Sequence, residues 1–380
     1  MRFSTCLLGL LSIVCGAVDV LRGDVIVLAS RTGKEISFTV REQDSEPKSH
    51  TLPVQELVSI PVTNPIEVRF GPGDNETEYS IDPNSVCFFS LSDTGLMELN
   101  RIGFAADAAK NADVQGPDDG NDKRKTAAGE PDRDVDPFAD KICTIPVKIF
   151  VDDEEPFVRK RWEARLRSRI ERASDILEQH CRVRFKVVAA DTWDSDNAEF
   201  DFAKLLAEFE REVRVEPAAL AIGFTSQPRI PQRRTRLGAT FAPLRQFILI
   251  REWSKKMGEG ERLEVLLHEL GHYLGATHSP ENDSIMRPNL NDGRANLPTF
   301  HLGFDPVNTL IMCLVGDEIR KHGVRHLHQL TPRSRAQLKS IYREIVKITP
   351  DEPATVRLLD LLDAGPPAGT SAAESRAKSE

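Results

Sequence analysis

Two imidazoles four residues apart, His268 and His272, with a carboxylate directly after the first, Glu269, are side chains suited to holding a metal and moving a proton beside it. Leu263, Leu266, Leu267, Leu270 and Leu274 give the segment an apolar side, which predicts a helix. On a helix, residues i and i+4 share a face, so both imidazoles reach one ion. Gly275 allows a sharp turn through a backbone conformation that other residues avoid, and that turn returns His278 as a third ligand. Three protein ligands leave a fourth position for water, the layout of a catalytic rather than a structural zinc site. The expected cofactor is therefore one catalytic zinc ion, which lowers the pKa of water and polarises a carbonyl. Glu269, beside the metal rather than on it, takes the water's proton and passes it to a departing amine.

Taken singly, each of these residues reads as a solvated helix charge or a packed imidazole. As a spaced set, His-Glu-x-x-His-x-x-Gly-x-x-His arises by chance in a chain of 380 residues less often than about once in a thousand. The stretch from His268 to His278 resembles the metzincin signature, and Ser284-Ile285-Met286-Arg287-Pro288 matches the Met-turn that metzincins carry after the third histidine. Ser279 stands where matrixin-like members have a serine. The resemblance implies that His268, His272 and His278 are zinc ligands, Glu269 the general base and Met286 the floor under the metal. It further implies that Gly238, Ala239, Thr240 and Phe241 belong to an edge strand that receives an extended peptide as an added strand. Three features depart from the family. Only seven residues separate His278 from Met286, Pro288 stands where astacin-like and serralysin-like members have a tyrosine, and no matrixin-type cysteine switch precedes the domain. The chain reads as an outlying, matrixin-like metzincin.

The expected activity is that of a secreted zinc metalloendopeptidase acting on protein or peptide substrates. Two other readings compete: a secreted binding protein with a vestigial zinc site, and a narrow aminopeptidase. An intact Glu269 argues against the first, and a site closed around a free amino terminus would mark the second. Asp283, Asn291 and Asp292 offer oxygens of the kind calcium takes but match no EF-hand, so ordinary loop polarity is favoured. His301, His322, His326 and His328 meet no ligand spacing and read as loop residues. A net charge of −9, with no basic domain and no aromatic platform, excludes a nucleic-acid binder.

Around this motif the chain divides by composition. Arg2, the apolar stretch Cys6–Val14 and the small residues Cys15-Gly16-Ala17 read as a signal peptide over residues 1–17. The rival, lipid attachment at Cys15, would place the large Val14 where a lipobox has a smaller residue. Export leaves Cys87, Cys143, Cys181 and Cys313, which permit two disulfides, Cys143–Cys181 among them, or four buried thiols. Residues 24–104 read as a small β-rich domain with strands near 25–28, 36–40, 66–70 and 87–91, either a prodomain over the cleft or a docking module. Residues 105–141 contain little to bury and read as a flexible linker. Residues 142–348 form the metzincin-like domain. It is an α/β (α+β) unit with a mixed twisted sheet, a long backing helix over 156–179, the motif helix, a long loop, and a last helix over 332–347. The backing helix has an apolar stripe of Val158, Trp162, Leu166, Ile170, Ala173 and Leu177. Residues 349–380 read as a partly disordered tail. No run reaches membrane-span length.

Overall fold

The computed structural model describes residues 24–102 and 141–364, apart from 31, 44, 55, 72–75, 93, 94, 228–236, 241, 253–256, 298–301 and 351. The expected signal peptide with Cys15, nearly all of the linker, His301, Phe241 and the end of the tail lie outside these residues.

Among the described residues the N-terminal module has eight strands: β1 (Asp24–Ser30), β2 (Ile36–Glu42), β3 (Lys48–Leu52), β4 (Leu57–Val62), β5 (Ile66–Phe70), β6 (Thr77–Ile81), β7 (Ser85–Leu91) and β8 (Met97–Ile102). They form two four-stranded sheets, β4-β1-β7-β8 and β3-β2-β5-β6. Alternation places Ile36, Phe38 and Val40 of β2 and Ile66, Val68 and Phe70 of β5 between the sheets, against Ile26, Leu28 and Phe89. The run Val25-Ile26-Val27-Leu28 does not alternate because β1 is covered on both faces. Ile26 and Leu28 enter the sandwich core, whereas Val25 and Val27, with Val86, enter the core of the rest of the chain.

The second unit is built on a five-stranded mixed sheet, ordered β10-β9-β11-β13-β12. Its strands are β9 (Cys143–Asp152), β10 (Val183–Trp193), β11 (Leu220–Thr225), β12 (Gly238–Ala239) and β13 (Phe247–Arg251). β12 is the antiparallel edge, and the other four strands run parallel. The backing helix α1 (Arg159–Cys181) buries Trp162, Leu166, Ile170, Ala173 and Leu177 at helical spacing. Val158, expected in that stripe, sits just before the helix and is exposed. The remaining helices are α2 (Phe202–Glu212), α3 (Glu259–Tyr273), α4 (Pro306–His322), α5 (Pro332–Ile348) and α6 (Pro353–Asp363).

Two of these correct the sequence reading. The long loop expected after the motif contains α4, whose run Leu310 to Val315 is buried all round and therefore shows no amphipathic period. Fully burying one such side chain stabilises by about 1.5–3 kcal/mol, and α4 buries several, against β1 of the module on one side and the backing helix α1 and α5 on the others. The tail contains α6, which turns Thr355, Leu358 and Leu362 inward and packs on α5. An ion pair between Arg333 and Asp24, 2.7 Å, adds a polar link between α5 and β1. Cys87, Cys143, Cys181 and Cys313 are all buried and free, so the Cys143–Cys181 bridge is not formed. Burial pushes the thiols of Cys87 and Cys143 up to about 11, which keeps them protonated and unreactive. No helix among the described residues is long and apolar enough to cross a membrane.

Asp152, at the end of β9, is 1% exposed and accepts a hydrogen bond from the Ser226 N–H at 2.7 Å. Burial pushes its carboxyl up to about 7. The folded state therefore holds a proton that the unfolded chain releases near pH 4, and stability falls as pH rises from about 4 to 7. Asp152→Asn keeps the acceptor without the charge. Its melting temperature at pH 8 should exceed that of the wild type by about 2–4 °C for each kcal/mol of burial penalty removed. The gain should vanish below pH 4, as thermal melts across this range will show.

Candidate metal centre

The motif helix is α3. Its N-terminus is closed by the Gly258 N–H donating to Glu261 Oε2 at 2.8 Å, with Glu259 and Glu261 in the first turn where the helix dipole favours acids. The fully buried Arg169 of α1 fixes the same end. It reaches Glu259 at 2.6 Å and makes a short ion pair with Glu252, beside which Arg165 and Arg262 also lie. The helix ends at Tyr273, and Gly275, at φ 91°, turns the chain back. A side chain at that position would meet Tyr342, whose hydroxyl donates to the Gly275 carbonyl at 2.7 Å.

This turn brings His268, His272 and His278 together, with one ring nitrogen of each within 4.8 Å of the others. Every Nδ1 faces an acceptor: the Ile285 carbonyl for His268 and the Ala276 carbonyl for His272, both at 2.9 Å, and Glu352 Oε2 for His278 at 3.1 Å. An Nδ1 that donates to an oxygen leaves Nε2 as a bare lone pair. The Nε2 atoms of His268 and His272 stand 3.0 Å apart. Two lone pairs facing at that distance repel unless a cation lies between them, so the donor set fits a zinc ion. Burial, and then the neighbouring imidazoles, hold His268 well below the usual histidine range, in the neutral form a metal takes.

Glu269 is 5% exposed and lies against the edge strand. A Cβ at Gly238 would come within 2.4 Å of Glu269 Oε1, so the bare backbone of β12 makes room for the carboxylate. Gly238, Ala239 and Thr240 line the same cleft as the three histidines and Glu269, a cavity of about 890 Å³. Met286 is fully buried beneath α3, and a Cβ at Gly271 would lie 2.7 Å from its sulfur.

The loop between Gly275 and Met286 has no regular secondary structure and is held by the start of α4. Asn308 Oδ1 accepts from the Thr277 N–H at 2.8 Å, and Asn308 Nδ2 donates to the Thr277 carbonyl at 2.9 Å. Asp305, the N-cap of α4, accepts from the Ser284 hydroxyl and from Asn308 Nδ2, each at 2.8 Å. The Ser284 hydroxyl oxygen in turn accepts from the Met286 N–H at 3.0 Å. One helix start thus fixes the arm bearing His278 and the turn bearing Met286. Arg287 follows, buried and paired with Glu264 of α3 at 2.6 Å.

One family model covers this geometry. A reprolysin model, Metallo-peptidase family M12, matches residues 147–297, which span the sheet, α3 and the Met286 turn. This domain is metzincin-like. None of the curated proteins compared with the chain matches it. Among solved structures, archaemetzincin from Methanopyrus kandleri is 16% identical, covering 44% of this chain and 93% of its own at a TM-score of 0.33. A chaperone–substrate complex is 10% identical, covering 78% of this chain and 60% of its own at a TM-score of 0.36.

The metzincin-like site includes residues that sequence reasoning missed. Glu352 holds the third histidine, and Arg357, Leu358 and Leu361 of α6 line the cleft. Their one legible signal is Pro353, a residue favoured in the first turn of a helix. Asn308 was hidden in the expected loop, although Asp305-Pro306 is a helix start and Gly323 a helix stop. His322, His326 and His328 are not gathered with a metal-binding set among the described residues. Asp292 serves Arg287 at 3.1 Å and the Arg294 N–H, as ordinary loop polarity predicts. Among the described residues lining the cleft, none belongs to the β module.

Asn308→Ala should strip both backbone groups of Thr277 of their partners in a buried setting, at about 1–3 kcal/mol for each group left bare. Denaturant unfolding of the metal-free protein should report the loss, and zinc titration should report weaker binding through His278.

Proposed function

We propose that the chain is a secreted zinc metalloendopeptidase. The observation that carries this reading is the convergence of three Nε2 lone pairs beside a buried carboxylate, along an edge strand open to the cleft. His268, His272 and His278 would hold the ion. Bound there, zinc supplies a Lewis acid that polarises a peptide carbonyl and makes a water readily deprotonated.

The protein's own groups supply the rest. Among the described residues β12 pairs with β13 on one side only, which leaves its cleft side to take an extended peptide as a further antiparallel strand. Gly238 and Ala239 provide backbone groups for that pairing without side chains that crowd Glu269. Glu269 takes a proton from the attacking water at its carboxylate and delivers it to the amine as the peptide bond breaks. Met286 supports the helix under the ligands. A cleft that is open along its strand suits cleavage within a chain. The n-region and apolar stretch at the N-terminus support export.

Glu269→Ala should retain one zinc per chain while hydrolysis of an unfolded protein substrate falls by about 100- to 10,000-fold. Metal analysis and a fluorogenic peptide library provide the two readouts. A zinc-loaded wild type that cuts nothing in the library would sink the peptidase reading, as would full activity in the variant.

A further inference from the structure

The third histidine is held differently from the other two. His268 and His272 lean on backbone carbonyls close to the motif, whereas His278 donates to a carboxylate 74 positions further along the chain. Glu352 is well placed to act in two directions. Its Oε2 meets His278, and its Oε1 accepts from the Ala354 N–H at 3.3 Å as the N-cap of α6. The helix behind it is anchored to α5 by buried Leu358 and Leu362 and by an ion pair between Asp363 and Lys339. We propose that Glu352 is a positioning residue for the third metal ligand, fixing the His278 ring so that Nε2 faces its partners and tying zinc affinity to the docking of α6. A carboxylate on Nδ1–H also makes the imidazole a stronger donor than a backbone carbonyl does.

The test is zinc affinity by competition with a chromogenic chelator, which requires no hydrolysis and so remains informative if the peptidase reading fails. Glu352→Asn retains a good N-cap but is one methylene too short to hold His278. It should melt like the wild type in chelator yet bind zinc about 10- to 100-fold more weakly. Glu352→Gln keeps the reach and an acceptor oxygen and should bind within a few-fold of the wild type. A residue that merely capped α6 would reverse that order. Wild-type zinc affinity in Glu352→Asn overturns the proposal.

A separate observation concerns substrate charge and rests on the peptidase reading. Among the described residues lining the cleft, Glu269 is the one carboxylate and Arg357 the one guanidinium, and Arg357 is exposed on the α6 wall beside Leu358 and Leu361. We infer that Arg357 selects peptides presenting a carboxylate a few residues from the scissile bond. Binding to zinc-loaded Glu269→Ala, followed by fluorescence anisotropy, separates recognition from catalysis. Paired peptides carrying Glu or Gln at successive positions, and paired C-terminal acids and amides, distinguish a side-chain source from a chain-end source. One of these pairs should show a preference for the acid of about tenfold, a size ordinary for a charge-assisted contact. Adding Arg357→Glu should abolish or invert it. Equal binding within every pair, or a preference that survives the substitution, overturns the inference.

Discussion

The amide of Asn308 is the interaction on which the metal centre depends. Two ligands sit on a helix, where spacing alone brings them together. The third sits on a loop, and a loop has no internal ladder to hold it. Asn308 makes both hydrogen bonds that a neighbouring strand would make to Thr277, one residue before His278. Asp305 couples that clamp to Ser284 and hence to the turn carrying Met286. Such a network is worth most where water is excluded, and each of these side chains is less than 10% exposed. The position of α4, deep between the module and the backing helix α1, supplies that exclusion.

The parts of the structure that were legible in the sequence are those whose physics is local. His268, Glu269 and His272 declare themselves by i,i+4 spacing, and Gly275 by the turn it permits. The strands β2 and β5 alternate because one face of each is buried, and α1 shows its stripe because one side of it is. What stayed hidden depends on partners distant in sequence. α4 has no polar face to set a period, since both of its sides are covered. The weaker strands β3 and β6 have one buried residue each, too few to form a pattern. Glu352 is one carboxylate among many until folding sets it against His278.

The same distinction explains the boundaries. The linker composition separates residues 24–104 from the rest, yet the two parts share a core in which Val25, Val27 and Val86 meet the apolar side chains of α4. A change of composition marks where the chain has nothing to bury, and covers no statement about which surfaces meet. At the other end, residues 349–363 read as the start of a tail because the Ala/Gly/Ser/Pro-rich run 364–380 follows them directly. Thr355, Leu358 and Leu362 nonetheless suffice to seat a short helix on α5, and that helix forms a wall of the cleft.

The double burial of β1 has a consequence for how the chain is made. Synthesis proceeds from the N-terminus, so β1 is available to fold well before α4. Its sandwich face can close as soon as β7 is complete, but the face bearing Val25 and Val27 waits for α4, some 280 residues later in the chain. During that interval an apolar sheet surface stands open to water, and contacts this far apart in sequence are slow to form. The nascent protein therefore carries a sticky β-sheet until α4 has emerged, and a chaperone that shields such a surface would matter more to this chain than to one whose modules close independently.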